Sequence, residues 1–198
     1  MIAELGHFAL ILAFVMSLVL SVVPLIGIAR GNVQMMNLAV PATLIMASGV
    51  LVAFGALVWA FVTSDFSVAL VTNHSHSAKP MIYKISGTWG NHEGSLLLWI
   101  VILVGFAAIL THSGRMMPIM LKTRTLAVQG IVSAAFLAFS LFTSNPFARL
   151  SPAPLDGTGL NPVLQDPGLY LHPTTLYVGY VRLSMAFSFA VAGLLEGR

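Results

Sequence analysis

Five long apolar stretches, set apart by polar or proline-punctuated connections, dominate the chain. They run from about Leu5 to Ile28, Leu38 to Val62, Ser95 to Thr111, Leu126 to Phe142 and Thr175 to Leu195. The third is the shortest, and its helix has room to begin near Gly90. A helix needs about 20 mostly apolar residues to cross a bilayer. The pattern predicts an all-α fold: a polytopic membrane protein of about five transmembrane helices, a single membrane unit over residues 1–198.

The connections alternate in character. The first, Ala29 to Asn37, is short and carries Arg30. The third, His112 to Thr125, carries Arg115, Lys122 and Arg124. The second and fourth, about 63–94 and 143–174, are long. Cytoplasmic loops carry the excess of lysine and arginine. The first and third connections are therefore expected inside, and the amino terminus and both long loops outside. Lys79 and Lys84 oppose this orientation, and Asp65 and Glu93 partly offset them. The start, MIAELGHFALILAF, has an acid before its apolar run and no small-residue cleavage site after it. A retained first helix is expected rather than a signal peptide.

Composition narrows the class. Hydrophobic residues make up 58% of the chain and charged residues 8%, against about 25% charged in soluble domains. The net charge of +3 is too small to argue for nucleic acid. There is no cysteine, which excludes disulfides, thiolate metal sites and thiol catalysis. No P-loop, nucleophile elbow or zinc motif occurs, so soluble-type enzyme chemistry is not expected.

Within the second connection, Phe66, Val68 and Leu70 alternate with smaller residues, which permits a short extended piece. The fourth is punctuated by Asn145-Pro146, Pro152, Pro154, Asn161-Pro162 and Asp166-Pro167-Gly168. So many fixed φ angles predict a loop ordered by packing.

His172 is the first candidate for chemistry. Pro173 disfavours a helical His172 and suits the first position of a helix. That places His172 just before the fifth helix, at the membrane–water boundary. A neutral imidazole there can ligate iron, zinc or copper, haem iron included. It can instead cap the helix or hydrogen-bond within a polar loop, and spacing alone favours those commoner roles.

The second candidate runs from Trp89 to Ser95, with Trp99 beyond it. His92 and Glu93 are adjacent and cannot share a helix face, so they are not a metal-binding pair of the H-E-x-x-H kind. Trp89 and Trp99 suit either an interfacial anchor or a flat surface for a porphyrin. His74 and His76 would point the same way on an extended strand and could bind a metal weakly, or simply be solvated. Arg182 falls about two turns into the fifth helix. There it can snorkel, pair with a loop carboxylate such as Asp166, or meet an anionic group such as a propionate. His7, three residues after Glu4, and His112, where a helix dipole favours a cation, read as interfacial.

Three blocks carry a family resemblance: ELGHFAL at Glu4, NHSHSAKPMIYKISGTWGNHEGSLLLW from Asn73 to Trp99, and NPFARLSPAPLDGTGLNPVLQDPGLYLHPTTLYVGYV from Asn145 to Val181. In order and spacing they resemble the amino-terminal part of the cytochrome c maturation protein F family, CcmF, within the haem-handling superfamily. A relative in nitrite reductase maturation shares much of the pattern.

The resemblance implies a role in cytochrome c-type biogenesis. Haem (haem b as substrate or ligand) is received from the haem chaperone CcmE. It is then attached to the CxxCH motif of apocytochrome c outside the membrane, with a CcmH-type apocytochrome-handling protein as a further partner. The implied location is the bacterial inner membrane, or its mitochondrial equivalent, with the amino terminus and long loops periplasmic.

His172 matches the family's first external haem-ligating histidine. Trp89, His92, Glu93, Trp99 and Arg182 are weaker cofactor-binding candidates, and no catalytic residue is assigned. The family's tryptophan-rich tract, its second external histidine and the histidines of its internal b-type haem have no counterpart here. Arg182 stands where a small residue is expected. The chain therefore reads as one part of a larger haem–cytochrome c ligase, and alone it is expected to be inactive. Two other readings stand beside this one: a small membrane transporter or channel component, and a non-catalytic truncated remnant.

Overall fold

Inside hydrocarbon every backbone polar group must be satisfied by the chain itself, which leaves helices as the building material. The computed structural model describes residues 1–162, 165 and 167–197. Its helices are α1 (Ile2–Ala29), α2 (Val33–Asn37), α3 (Ala39–Val62), α4 (Ala69–His74), α5 (Met81–Gly87), α6 (His92–Ser113), α7 (Ile119–Phe142), α8 (Pro167–Val181) and α9 (Leu183–Glu196). Among the described residues, five spans are long and apolar enough to cross a membrane: α1, α2 with α3, α6, α7, and Leu171–Glu196 of α8 and α9. This is a multi-pass membrane protein. The two short connections lie at one end of the bundle and the two long ones at the other, called here the loop side.

The bundle is organised around α1, which packs on α3 and α7, while α3 packs on α6. Its buried face is mostly small residues, Ala3, Gly6, Ala9, Ala13, Ser17, Ser21 and Gly27, with Leu10, Leu20 and Pro24 among them. Small residues let backbones approach, which is how helices associate where lipid is as apolar as leucine. At Gly49 of α3 a Cβ would stand 2.9 Å from the Ala9 carbonyl oxygen and 3.2 Å from the Ala13 Cβ. The two backbones are therefore in contact. Buried hydroxyls on this seam return to their own helix: Ser21 Oγ donates to Ser17 O at 2.6 Å, and Thr43 Oγ1 to Ala39 O at 2.7 Å.

The fifth span differs from the rest. Only 17% of its most apolar window is buried, against 39–50% in the other four. It breaks at Arg182 into α8, which packs on α6, and α9, which packs on α7. A fully buried Gln129 of α7 pins the second half. Its Nε2 donates to Leu103 O at 3.3 Å and Ser184 Oγ at 3.1 Å, and its Oε1 accepts from Ser188 Oγ at 2.8 Å. One amide thus joins three helices in an apolar interior, where an unpaired amide would be costly.

Several expectations need correction. The fourth span starts at Ile119, not Leu126, so Lys122 and Arg124 lie inside α7. The apolar run begins after these cations, but the backbone does not wait for it. Lys122 Nζ reaches back to Thr111 O at 2.9 Å, and Arg124 lies 3.9 Å from Glu196, so both long side chains are accommodated at the helix end. The extended piece at Phe66–Leu70 reduces to one antiparallel bridge, Val68 with Arg149, before α4 begins. The fifth helix begins at Pro167 rather than Thr175, and Arg182 sits at its break rather than two turns inside an unbroken helix.

Replacing Gln129 by Leu is expected to lower the stability of the fifth span by about 1–2 kcal/mol, read as faster trypsin cleavage after Arg182 in detergent. Unchanged cleavage would show that the amide does not hold α9. Gly49→Val should force α1 from α3 and cost about 1–3 kcal/mol, read as a lower thermal midpoint.

Candidate functional site on the loop side

The two long connections fold onto each other. Ala69 N–H donates to Ala148 O and Leu150 N–H to Ser67 O, both at 2.9 Å. Further on, Thr158 N–H donates to Thr72 O at 2.8 Å and Gly159 N–H to Ser75 O at 3.0 Å. Gly157 lies so close that a Cβ there would fall 2.1 Å from Ser75 O. Residues 148–159 of the fourth connection thus lie against residues 67–77 of the second.

Side chains close the same junction. Asp156 Oδ1 accepts from the Ser77 and Gly157 N–H groups at 2.9 and 2.8 Å, and its Oδ2 lies 3.5 Å from His76 Nε2. The Ser77 hydrogen bonds, with that from Gly157, hold the Asp156 carboxyl at about 2, well below the usual carboxylate range. Arg149 ties the loop to the helices: its guanidinium bonds to Glu4 of α1, to Ser67, and to Asp65 Oδ2 at 3.5 Å. His7 lies beside this node, with its Nδ1 3.5 Å from Asn145 Nδ2 and its ring centroid 6.3 Å from that of Phe147.

The two lysines that opposed the expected orientation are taken up locally. Lys84 Nζ donates to Ser64 Oγ at 2.8 Å and Lys79 Nζ to His74 O at 2.9 Å. Burial, and then Lys84, lower the Lys79 ammonium to about 8. His74 and His76 do not converge. His74 ends α4 with its Nδ1 3.1 Å from Leu70 O, Ser75 turns the backbone, and His76 faces Asp156. No cluster of three or more metal-ligating side chains occurs among the described residues.

The Trp89–Ser95 motif starts α6. Asn91 is its N-cap: Oδ1 accepts from Gly94 N–H and Nδ2 donates to Gly87 O, both at 2.7 Å. A side chain at Gly94 is excluded, since its Cβ would lie 1.6 Å from Thr88 O. Trp89 stacks on Phe54 of α3 with centroids 6.5 Å apart. His92 is exposed, its ring edge-on to Phe139 at 6.3 Å, and Glu93 is half-buried in the first turn. Trp99 lies one turn below Ser95. It stacks on Tyr177 at 6.0 Å and meets Tyr180 edge-on at 5.3 Å and Phe136 at 5.1 Å. The Ser95 and Tyr177 hydroxyls are hydrogen-bonded to each other.

His172 lies inside α8 rather than before it, which corrects the expected placement. The proline rule at His172 is a bias, and Pro167 supplies the favoured helix start while Pro173 is taken into the second turn. The His172 imidazole is exposed, and neither ring nitrogen bonds to any described residue. Exposed Leu171 and Leu176 flank it. Arg182 is exposed, and among the described residues its guanidinium has no ion-pair partner. Asp166, the carboxylate expected near it, lies outside the described residues.

Sequence reasoning missed the Arg149 node and the Tyr177–Ser95 contact. The available signal for the first was a lone cation in the fourth connection with acids at Glu4 and Asp65. The second had no signal beyond aromatic spacing.

Residues 89–198 match a family model described as cytochrome C assembly protein. The chain is 57% identical over 198 residues to the cytochrome c-type biogenesis protein ccl1 of Rhodobacter capsulatus, covering 100% of this chain and 30% of that one. It is 46% identical over 199 residues to the cytochrome c-type biogenesis protein CcmF of Escherichia coli, covering 100% of this chain and 31% of that one. With the cytochrome c-type biogenesis protein NrfE of Haemophilus influenzae it shares 37% identity, covering 98% of this chain and 31% of that one. A solved structure of a cytochrome c haem lyase CcmF superposes with a TM-score of 0.85 at 24% identity, over 100% of this chain and 31% of that one, and shows the same fold. The chain thus spans about 30% of the length of the curated relatives it matches.

Asp156 gives a test of the loop junction. Its carboxyl is held below its unfolded value, so it stabilises the junction above the unfolded pKa and loses that effect as pH falls from about 4 towards 2. Hydrogen exchange of residues 72–80 should rise over that window, and Asp156→Ala should raise it already at pH 7 while the membrane helices stay protected. Equal protection in the variant would mean that the backbone pairs alone hold the junction.

Proposed function

The chain belongs to the cytochrome c assembly protein family, and from that membership we propose that it is the amino-terminal part of a CcmF-type haem lyase. In this reading the loop side faces the periplasm, across a bacterial inner membrane or its mitochondrial equivalent. The short-connection side, with Arg30, Lys122 and Arg124, faces the cytoplasm, as the excess of cations there supports.

Haem is the substrate, and the observation that carries the assignment is His172: an exposed imidazole whose nitrogens have no partner among the described residues, on a helix at the loop side. It would provide one axial ligand to the haem iron. Apolar Leu171 and Leu176 beside it suit a porphyrin edge. The second axial ligand would come from parts of the longer protein beyond this chain. Trp89 and Trp99 have neighbouring aromatic rings against them, so their part is to shape the wall beside the ligand helix. Arg182 lies about 15 Å of helix rise below His172, deeper than the ligand.

The reaction adds two cysteine S–H groups of apocytochrome c across the haem vinyl C=C bonds, sulfur to one carbon and the proton to the other, giving thioethers with no net redox change. Haem comes from the chaperone CcmE, and a CcmH-type protein presents the thiols. The protein's contribution to such a step is to hold both reactants in register. His172→Ala in the full-length protein is expected to abolish the haem absorption at this site and holocytochrome c formation with it. An unchanged haem content after purification would sink the assignment.

A further inference from the structure

The helix that carries His172 has little holding it. The fifth span is the least buried of the five, and α8 touches the bundle through α6. Among the described residues, that contact centres on a few side chains. The Tyr177 hydroxyl is bonded to Ser95 Oγ, the Tyr177 ring stacks on Trp99, and Tyr180 closes edge-on against both rings, at 5.3 Å from Trp99 and 5.7 Å from Tyr177. Ser95 lies in the first turn of α6, directly after the Asn91 cap and the tightly enclosed Gly94. The hydroxyl that receives Tyr177 is therefore mounted on a rigid helix start.

Helix geometry connects this contact to the ligand. At 100° per residue, Tyr177 is rotated about 140° around the axis from His172, and Tyr180 only about 60° from Tyr177. The two tyrosines thus define the face of α8 that meets α6. Fixing that face turns His172 away from α6, consistent with its exposed imidazole.

We propose that Tyr177, through its hydroxyl bond to Ser95 and its stacking on Trp99, is the positioning residue that sets the rotation of α8 and so the direction in which His172 presents its imidazole to haem iron. The inference rests on His172 as a haem ligand. A ligand imidazole must be oriented as well as present, and groups that orient a ligand govern affinity nearly as the ligand does. Here the ring nitrogens have no partner among the described residues, so orientation has to come from the helix itself. The hydroxyl pair fixes rotation because it has one register, whereas aromatic stacking alone tolerates sliding.

The test uses the full-length protein, titrated with haemin and examined by ferric electron paramagnetic resonance. Tyr177→Phe keeps the ring and removes the hydroxyl, and Ser95→Ala removes the partner. Each is expected to weaken haem binding about fivefold, the worth of one net hydrogen bond, and to broaden the low-spin signal. The double variant should be no worse than either single one. Gln129→Leu loosens the same span lower down and should leave the low-spin signal sharp.

His172→Ala separates the two layers. If it loses the signal while Tyr177→Phe and Ser95→Ala bind haem like the parent, the positioning role is overturned and the ligand assignment stands. If it keeps the signal, the ligand assignment fails and the positioning role with it. A Gln129→Leu spectrum that broadens as Tyr177→Phe does would also overturn the proposal, since any loosening of the span would then suffice. Should Tyr177→Phe not fold, Ser95→Ala decides from the other side of the same bond.

Discussion

The two long connections are held to each other by backbone hydrogen bonds, and the architecture of the loop side depends on that pairing. Ala69 with Ala148, Ser67 with Leu150, Thr72 with Thr158 and Ser75 with Gly159 bring together segments far apart in sequence. Each bond is worth only about 1 kcal/mol net, but together they leave the proline-rich segment one place to lie. Arg149 sits within the bridge and extends it sideways to Glu4 and Asp65. These charges are partly exposed, so their energy is modest. Their contribution is geometric: they fix where the connections stand relative to α1 and α3.

Beneath this cap the membrane part is assembled by close approach rather than by hydrophobic sequestration. α1 and α3 touch backbone to backbone at Gly49, and α7 receives Leu20 over Gly130, where a Cβ would meet Leu20 Cγ at 2.9 Å. The fifth span is less buried: α9 packs on α7 with Ser188 and Ala192 buried and polar ties at Gln129 and Glu196, and α8 meets α6 through Tyr177. A span so lightly covered leaves one face of α8 open, with its rotation set by the few side chains that meet α6.

Much of this was legible in the sequence, for identifiable reasons. The spans follow from apolar length. Boundaries failed where cations enter a helix: Lys122 and Arg124 delay the apolar run but not the start of α7, because their side chains find Thr111 O and Glu196. His172 was misplaced because a local proline rule was outweighed by a helix start at Pro167. The pairs that shape the site, Arg149 with Glu4 and Tyr177 with Ser95, join distant positions through single contacts, and no periodicity announces such contacts. The ligand role of His172 is implied by the family resemblance, and the structure adds an exposed imidazole with no partner among the described residues.

What unites these features is an imidazole held at the loop side on a lightly tethered helix beside an ordered cap. The account stands on that imidazole binding haem iron. The most direct measurement is ferric electron paramagnetic resonance of the full-length protein carrying His172→Gly, recorded with and without added imidazole. The account predicts that the low-spin signal of this site is lost in the variant and returns when imidazole fills the space the side chain vacated. A variant that retains the low-spin signal with no imidazole added would contradict it.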